Sequence, residues 1–163
     1  MNPNEVILVT PEDEAIGVME KMEAHQKGVL HRAFSVFLFV KEGRMLLQQR
    51  APQKYHGAYL WTNACCSHPM RDEPVEQAAQ RRLMEELGFQ TPLNKIFTFT
   101  YKATVENNLV EHEYDHVFAG EYEGPVKMNP EEVRDYAYVD LASIKTRLQE
   151  EPARFTSWFR IAF

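Results

Sequence analysis

Residues able to do chemistry gather in three places along the chain. The first is the decapeptide LWTNACCSHP, which holds both cysteines, Cys65 and Cys66, the latter two residues before His68. A disulfide between sequence neighbours needs strained geometry, and two thiolates cannot close a four-cysteine zinc site. If residues 63–68 are extended, Cys66 and His68 share a face and Cys65 points the other way. Cys65 then reads as a small buried hydrophobe, and Cys66 with His68 as a candidate reactive pair.

The second place is EHEYDHVF, where period-two alternation puts Glu111, Glu113 and Asp115 on one face, followed by Val117. Like charges at successive same-face positions repel each other, and beside apolar residues they lose solvation. A divalent cation would relieve both; the alternative is an exposed edge strand with a wet acidic face. His112 and His116 fall on the opposite face, as partly exposed structural residues.

The third is Glu86, within DEPVEQAAQRRLMEELG. Val75, Ala79, Leu83 and Leu87 form an apolar stripe on a helix there, and Glu86 falls about 60° from Leu83, inside it. Glu85 falls nearly opposite, toward solvent. A carboxylate facing a core is protonated, paired or metal-bound; the alternative is a surface pair with Arg82. Lys21, Arg50, Lys54, Arg71, Arg81 and Arg82 are scattered through loops and element ends, and together could hold a phosphorylated ligand against a bound cation.

These residues need a scaffold. The chain has 163 residues, which favours one domain with a real core. Residues 6–9 and 15–19 read as strands around a turn at 11–14, and residues 33–40, apolar on both faces, as a central strand. A turn at 41–44 leads into a strand at 45–50, and residues 51–60 read as a loop in which His56 has no role. The clearest helix covers 72–88, with Asp72 as cap, Pro74 in the first turn and Gly88 as stop. Strands follow at 95–103 and 109–122 around a turn at 106–108, then a strand at 136–140. A helix at 141–149 capped by Asp140 and an aromatic, helical end at 155–163 complete the chain. Strands and helices without regular alternation favour an α+β class. Tyr101 shares a strand face with Phe97 and Phe99, so it suits a core, as does Trp158 in the last helix. Trp61 reads as core or as a pocket wall.

Bulk properties remove several functions. Net charge of −6 argues against a general nucleic-acid binder but leaves room for a local cationic pocket. No apolar run approaches the roughly 20 residues a membrane span needs. The start, MNPNEVILVT, lacks the features of a signal peptide, so a cytoplasmic protein is expected.

The segment 67–89 resembles the Nudix box, with Ser67 at the leading glycine, Glu73 at the first glutamate, and Arg81, Leu83, Glu85, Glu86, Gly88 and Phe89 in later positions. Arg82 reverses the charge of a glutamate that hydrolases of that superfamily use to hold cations. The whole chain resembles the type I isopentenyl-diphosphate isomerases of the Nudix superfamily, through EKMEAH, LHRAFSVFLF, LLQQRA, LWTNACCSHP, RRLMEELG, YKA, VEHEYDHVF and FTSW. The resemblance implies a Nudix-type mixed-sheet sandwich with flanking helices, a single domain over 1–163, and residues 1–30 packed on it as an N-terminal extension. It implies a divalent metal (manganese, magnesium or zinc) at His25, His31, His68, Glu111 and Glu113. A magnesium ion arriving with the substrate diphosphate would be bound through Glu86. Lys21, Arg50, Lys54, Arg82 and Ser67 would contact the substrate. Cys66 and Glu113 would be the acid–base pair that moves the double bond of a prenyl diphosphate, with Tyr101 beside Glu113 and Trp158 facing the carbocation. Which of Cys66 and Glu113 donates is open. The expected partner is the small-molecule substrate alone, with no nucleic acid or membrane, in a monomer or weak homo-oligomer. The rival reading is a Nudix hydrolase of a nucleoside or prenyl diphosphate; further ones are a metal-dependent binding protein without turnover and a thiol hydrolase using Cys66 and His68.

Overall fold

The central strand of the sequence is central in space because its two faces meet two different apolar layers. A computed structural model describes residues 4–54 and 57–163, so His56 lies outside the described residues. In chain order the elements are β1 (Glu5–Val9), β2 (Ala15–Glu20), α1 (Lys21–Lys27), β3 (His31–Phe39), β4 (Arg44–Arg50), β5 (Trp61–Thr62), β6 (Cys65–Ser67) and α2 (Val75–Leu87). After these come β7 (Leu93–Thr104), β8 (Val110–Glu121), β9 (Val133–Asp140), α3 (Leu141–Glu150) and α4 (Ser157–Ala162). On β3, Phe34, Val36 and Leu38 pack with Ala78, Ala79, Leu83 and Leu87 of α2, while Phe37 packs with Met45, Leu47, Ile144 and Phe159 on the other side. Helices thus cover both faces of one mixed sheet, in an α+β arrangement.

β3 is flanked by β8, parallel over its whole length, and on its other edge by β1, β6 and β4. β8 in turn pairs with β7, and β4 with β5 and β9. The acidic strand is therefore interior, with a neighbour on each side, and Glu111, Glu113 and Asp115 are all buried. This excludes the wet edge. His116, expected to be partly exposed, is instead buried, because the turn between β1 and β2 folds over it and Asp13 Oδ2 lies 2.9 Å from its Nε2.

Local signals set most element ends. Gly88 ends α2 in the left-handed region at φ 76°, where a Cβ would meet the Lys127 carbonyl oxygen at 2.9 Å. Asp140 caps α3 by accepting from the Ser143 N–H at 2.8 Å. The expected start of α2 at Asp72 is corrected: the helix begins at Val75, and Asp72 sits at φ 61° outside it. Glu73 does the work there, accepting from the Met70 N–H at 2.9 Å and from Arg81 at 2.8 and 3.0 Å. Helix α1 is absent from the expectations above; it is seven residues long, capped by Glu20, and buries only Ala24 and His25, too little for a periodic signal. Among the described residues no helix is long and apolar enough to cross a membrane.

Candidate active site and metal centre

The parallel pairing of β3 with β8 places His31 opposite Glu113, and the antiparallel pairing of β7 places Tyr101 opposite Glu113 on its other side. Side chains directly across a ladder share a face, so these three stand abreast. His68 arrives just past β6, and α1 lowers His25 onto the same spot. One ligating atom from each of His25, His31, His68 and Glu113 lies within 4.8 Å of all the others. His25 and His31 are fully buried.

The donor set fits a divalent metal. His31 Nδ1 faces the Val29 carbonyl oxygen at 2.9 Å and His25 Nδ1 faces that of Lys21 at 2.7 Å. A carbonyl only accepts, so each Nδ1 carries a proton and Nε2 is the ring nitrogen that can ligate a metal. His31 Nε2 lies 3.1 Å from Glu113 Oε2, and His68 Nε2 lies 3.0 Å from the same oxygen. Burial depresses His68 to a pKa of about 4, against the opposing pull of Glu113. Burial alone would raise Glu113, but its contacts with His31 and His68 hold it well below the usual carboxylate range. Imidazoles anchored through Nδ1, with Nε2 turned toward a carboxylate, have the arrangement that a metal site uses.

Glu111 is buried and lines the adjoining cavity but is not one of the four. Burial and the charges of Glu113 and Asp115 push it well above the usual range, with Arg50 opposing. Asp115 is pushed up by burial and by Glu113; its Oδ2 accepts from Ser35 Oγ at 2.8 Å, and its Oδ1 is buried without a hydrogen-bond partner. Among three successive same-face acids, Glu113 alone is shifted downward.

Beside this cluster lies a cavity of about 430 Å³, lined by Cys66, Ser67, His68, Glu111, Glu113 and Trp158 among others, a size typical of small-ligand sites. Cys66 and Glu113 reach it from β6 and β8, which flank β3, with Ser35 of β3 on the same face. Burial pushes the Cys66 thiol far up, aided by Glu86, Glu113 and Asp115 and opposed by Arg50. Cys65 turns to the opposite layer, fully buried, with its Sγ 3.4 Å from Glu86 Oε2. Tyr101 donates to Glu113 Oε1 at 2.7 Å, and burial followed by the charge of Glu113 keeps its phenol protonated. Trp158 donates from Nε1 to Asn63 Oδ1 at 3.2 Å, and the Arg50 guanidinium stands 5.4 Å from its ring centroid. Asn63 also donates to the Val36 and Cys65 carbonyl oxygens, at 3.0 and 2.8 Å, which fixes the turn that presents Cys66.

The same cavity is also lined by Lys21, Arg50, Lys54, Arg81 and Arg82. A Cβ on Gly57, at φ 67°, would stand 3.0 Å from Arg50 Nε, so that close approach requires glycine. Arg82 bridges Glu86 at 3.0 Å and Glu132 at 3.1 Å, and its Nε is buried without a hydrogen-bond partner. Glu86 is 3% exposed. Each of its oxygens already accepts from the protein: Oε1 from Gln48 at 3.0 Å, Oε2 from Arg82 and Cys65.

A family model described as NUDIX domain matches residues 29–159. The isopentenyl-diphosphate Delta-isomerase of Serratia proteamaculans is 47% identical over 94% of this chain and 86% of its own length. The isopentenyl-diphosphate Delta-isomerase 2 of Photorhabdus laumondii is 48% identical over 95% of this chain and 88% of its own. The chain belongs to the isopentenyl-diphosphate Delta-isomerase family of the NUDIX superfamily. Solved structures share the fold at lower identity: DR0079 from Deinococcus radiodurans has a TM-score of 0.74 at 15% identity, covering 90% of both chains. The MutT protein of Methanosarcina mazei Go1 has a TM-score of 0.66 at 21% identity, covering 80% of this chain and 88% of its own.

For this isomerase-family member, the residues singled out in the sequence fall into one neighbourhood, with three qualifications. Neither Glu86 nor Arg71 lines the cavity, Arg71 standing instead at a separate hollow with Asp72 and Arg32, and Tyr101 meets the cavity through Glu113. Four residues carried no assignment beforehand: Ser35, Gln48, Asn63 and Glu132. Only Asn63 had a local signal, a side-chain amide in the short stretch between Trp61 and the cysteines.

Proposed function

We propose that this chain isomerises isopentenyl diphosphate to dimethylallyl diphosphate, in the cytoplasm. The observation that carries the reading is one cavity lined both by the Cys66 thiol and the Glu113 carboxylate and by a group of cations. An unactivated alkene is a weak base, so moving its double bond passes through a tertiary carbocation or something close to it. That requires one group to deliver a proton, another to remove one, and water to be kept out. Cys66 and Glu113 are those groups. The proton rests on Cys66 and on Tyr101 in the free protein, and Glu113 is ionised. Tyr101 holds Glu113 in place and stands ready to share a proton with it. Trp158 presents its ring to the developing cation, a desolvated contact worth about 2 kcal/mol.

His25, His31, His68 and Glu113, with Glu111 beside them, would hold a manganese, magnesium or zinc ion. When bound it supplies positive charge that keeps Glu113 ionised. Lys21, Arg50, Lys54, Arg82 and Ser67 would bind the diphosphate, and Arg82 Nε is a donor still to be filled. Glu86 already accepts from Gln48, Arg82 and Cys65, three of the roughly four hydrogen bonds a carboxylate can take. A magnesium ion there would use the last position or compete with Arg82 or Cys65, so no step is routed through it. The same pairing opposes hydrolysis: Arg81 takes Glu73 and Glu85, and Arg82 takes Glu85 and Glu86, leaving no free cluster of helix glutamates to gather cations.

Incubation with isopentenyl diphosphate and magnesium in deuterated water tests the reading. The expected result is an allylic product carrying deuterium. Release of phosphate or of a monophosphate without that product would overturn it in favour of hydrolysis.

A further inference from the structure

Among the cations that line the cavity stands an acid that the reaction does not use. Glu132, just before β9, lies against both Lys54 Nζ and an Arg82 terminal nitrogen. Its backbone is held from two sides. The Ala51 N–H donates to the Glu132 carbonyl oxygen at 3.1 Å, and the Asn129 N–H donates to that of Glu86 at 2.9 Å, tying the segment to the end of α2. The backbone that carries the carboxylate is therefore held, and the side chains it meets are long and jointed. Lys21 lies close enough for burial, then the charges of Lys54 and Arg82, to depress its ammonium, while Glu132 pulls the other way. With no anion bound, several like charges share a half-buried space, and Glu132 is the counter-charge in contact with two of them.

We propose that Glu132 is a built-in competitor of the diphosphate. It holds Lys54 and Arg82 while the site is empty, yields them as the substrate arrives, and takes them back as the product leaves. This rests on the assignment of those cations to the diphosphate. A carboxylate and a phosphate oxygen accept from the same donors with the same geometry, so the two cannot both occupy them fully. Glu132 thereby lowers affinity and hastens release. A residue that merely braced Lys54 and Arg82 would have the opposite effect, because its loss would misplace both.

Calorimetric titration with inorganic diphosphate, with and without magnesium, separates these roles. Glu132→Gln removes the charge and keeps the shape; it should bind diphosphate on the order of tenfold more tightly, with a steeper salt dependence. In turnover it should lower KM and kcat together. Glu132→Asp keeps the charge but draws it back from the two cations, and should tighten binding by a smaller factor, so the test survives if the glutamine variant folds poorly. Equal or weaker diphosphate binding by both variants, with binding by the parent protein intact, overturns the role of Glu132 alone. If the parent protein does not bind diphosphate, and Lys54→Gln and Arg82→Gln change nothing, the assignment of the cations falls and this inference falls with it.

Discussion

Removing a single oxygen, in Tyr101→Phe, isolates the part Tyr101 has in catalysis. The phenol donates to Glu113 Oε1 at 2.7 Å, while Glu113 Oε2 meets His31 and His68. The ring is 6% exposed and stacks on Phe99 with centroids 5.6 Å apart, packing that phenylalanine preserves. What is lost is one hydrogen bond to a charged group, worth about 1.5–3 kcal/mol. If that bond matters most while Glu113 exchanges its proton, kcat falls by roughly 10- to 150-fold, at about 1.36 kcal/mol per decade. KM should move by less than about threefold, because the diphosphate is held by cations elsewhere in the cavity. Metal content should be unchanged, since both histidine contacts to Oε2 remain. The assay is conversion of isopentenyl diphosphate in deuterated water, with metal measured on the same sample. A kcat within about twofold of the parent would refute the reasoning, as would a loss of activity that tracks loss of metal.

Cys66→Ala should abolish isomerisation, by about 10²–10⁴-fold or more, and leave diphosphate binding intact, whereas Cys65→Ala should spare turnover within a few-fold. Binding and rate measured side by side check both. Metal-free protein should lose stability as pH falls from about 6.5 toward 4. His68 has its pKa depressed to about 4 in the fold, so below its unfolded value the unfolded chain binds the extra proton first. The His68 share of the loss, read by urea melts at several pH values, is on the order of 3 kcal/mol and should be missing in His68→Gln, which keeps the shares of His25 and His116. Arg82→Ala leaves Glu86 buried without its ion-pair partner and should cost about 3 kcal/mol in the same melts, while Arg82→Lys recovers part of it.

The features legible in the sequence were those written in local periodicity. The stripe of α2, the inward set of β8 and the opposite facing of Cys65 and Cys66 all follow from spacing, and each is as the spacing requires. Glu86 satisfied both of its readings at once, being buried and paired with Arg82, because α2 lies across an interior that ends where Arg82 begins. What spacing cannot supply is which strand lies beside which. His31 and Glu113 are 82 positions apart, and only the parallel pairing of β3 with β8 makes them neighbours. The same holds for Ser35 with Asp115, and for Glu132, whose partners come from α2 and from the loop after β4. Helix α1 was invisible for a different reason: its identity is set by a capping Glu20 and a stop at Gly28 rather than by an apolar repeat.

The way the N-terminal hairpin is attached has a consequence for assembly. Among the described residues, β1 joins β3 through one ladder pair, Leu8 with His31, and Arg32 and His116 clasp the hairpin turn through Asp13. Helix α1, which brings both His25 and Lys21, hangs from that hairpin. An ion shared by His25, His31, His68 and Glu113 would act as a rivet through four separate pieces of the chain, the first of them the most lightly sewn. Loading the ion and seating the amino-terminal segment become a single event, and chelation should raise amide exchange in α1 well before the sheet itself opens.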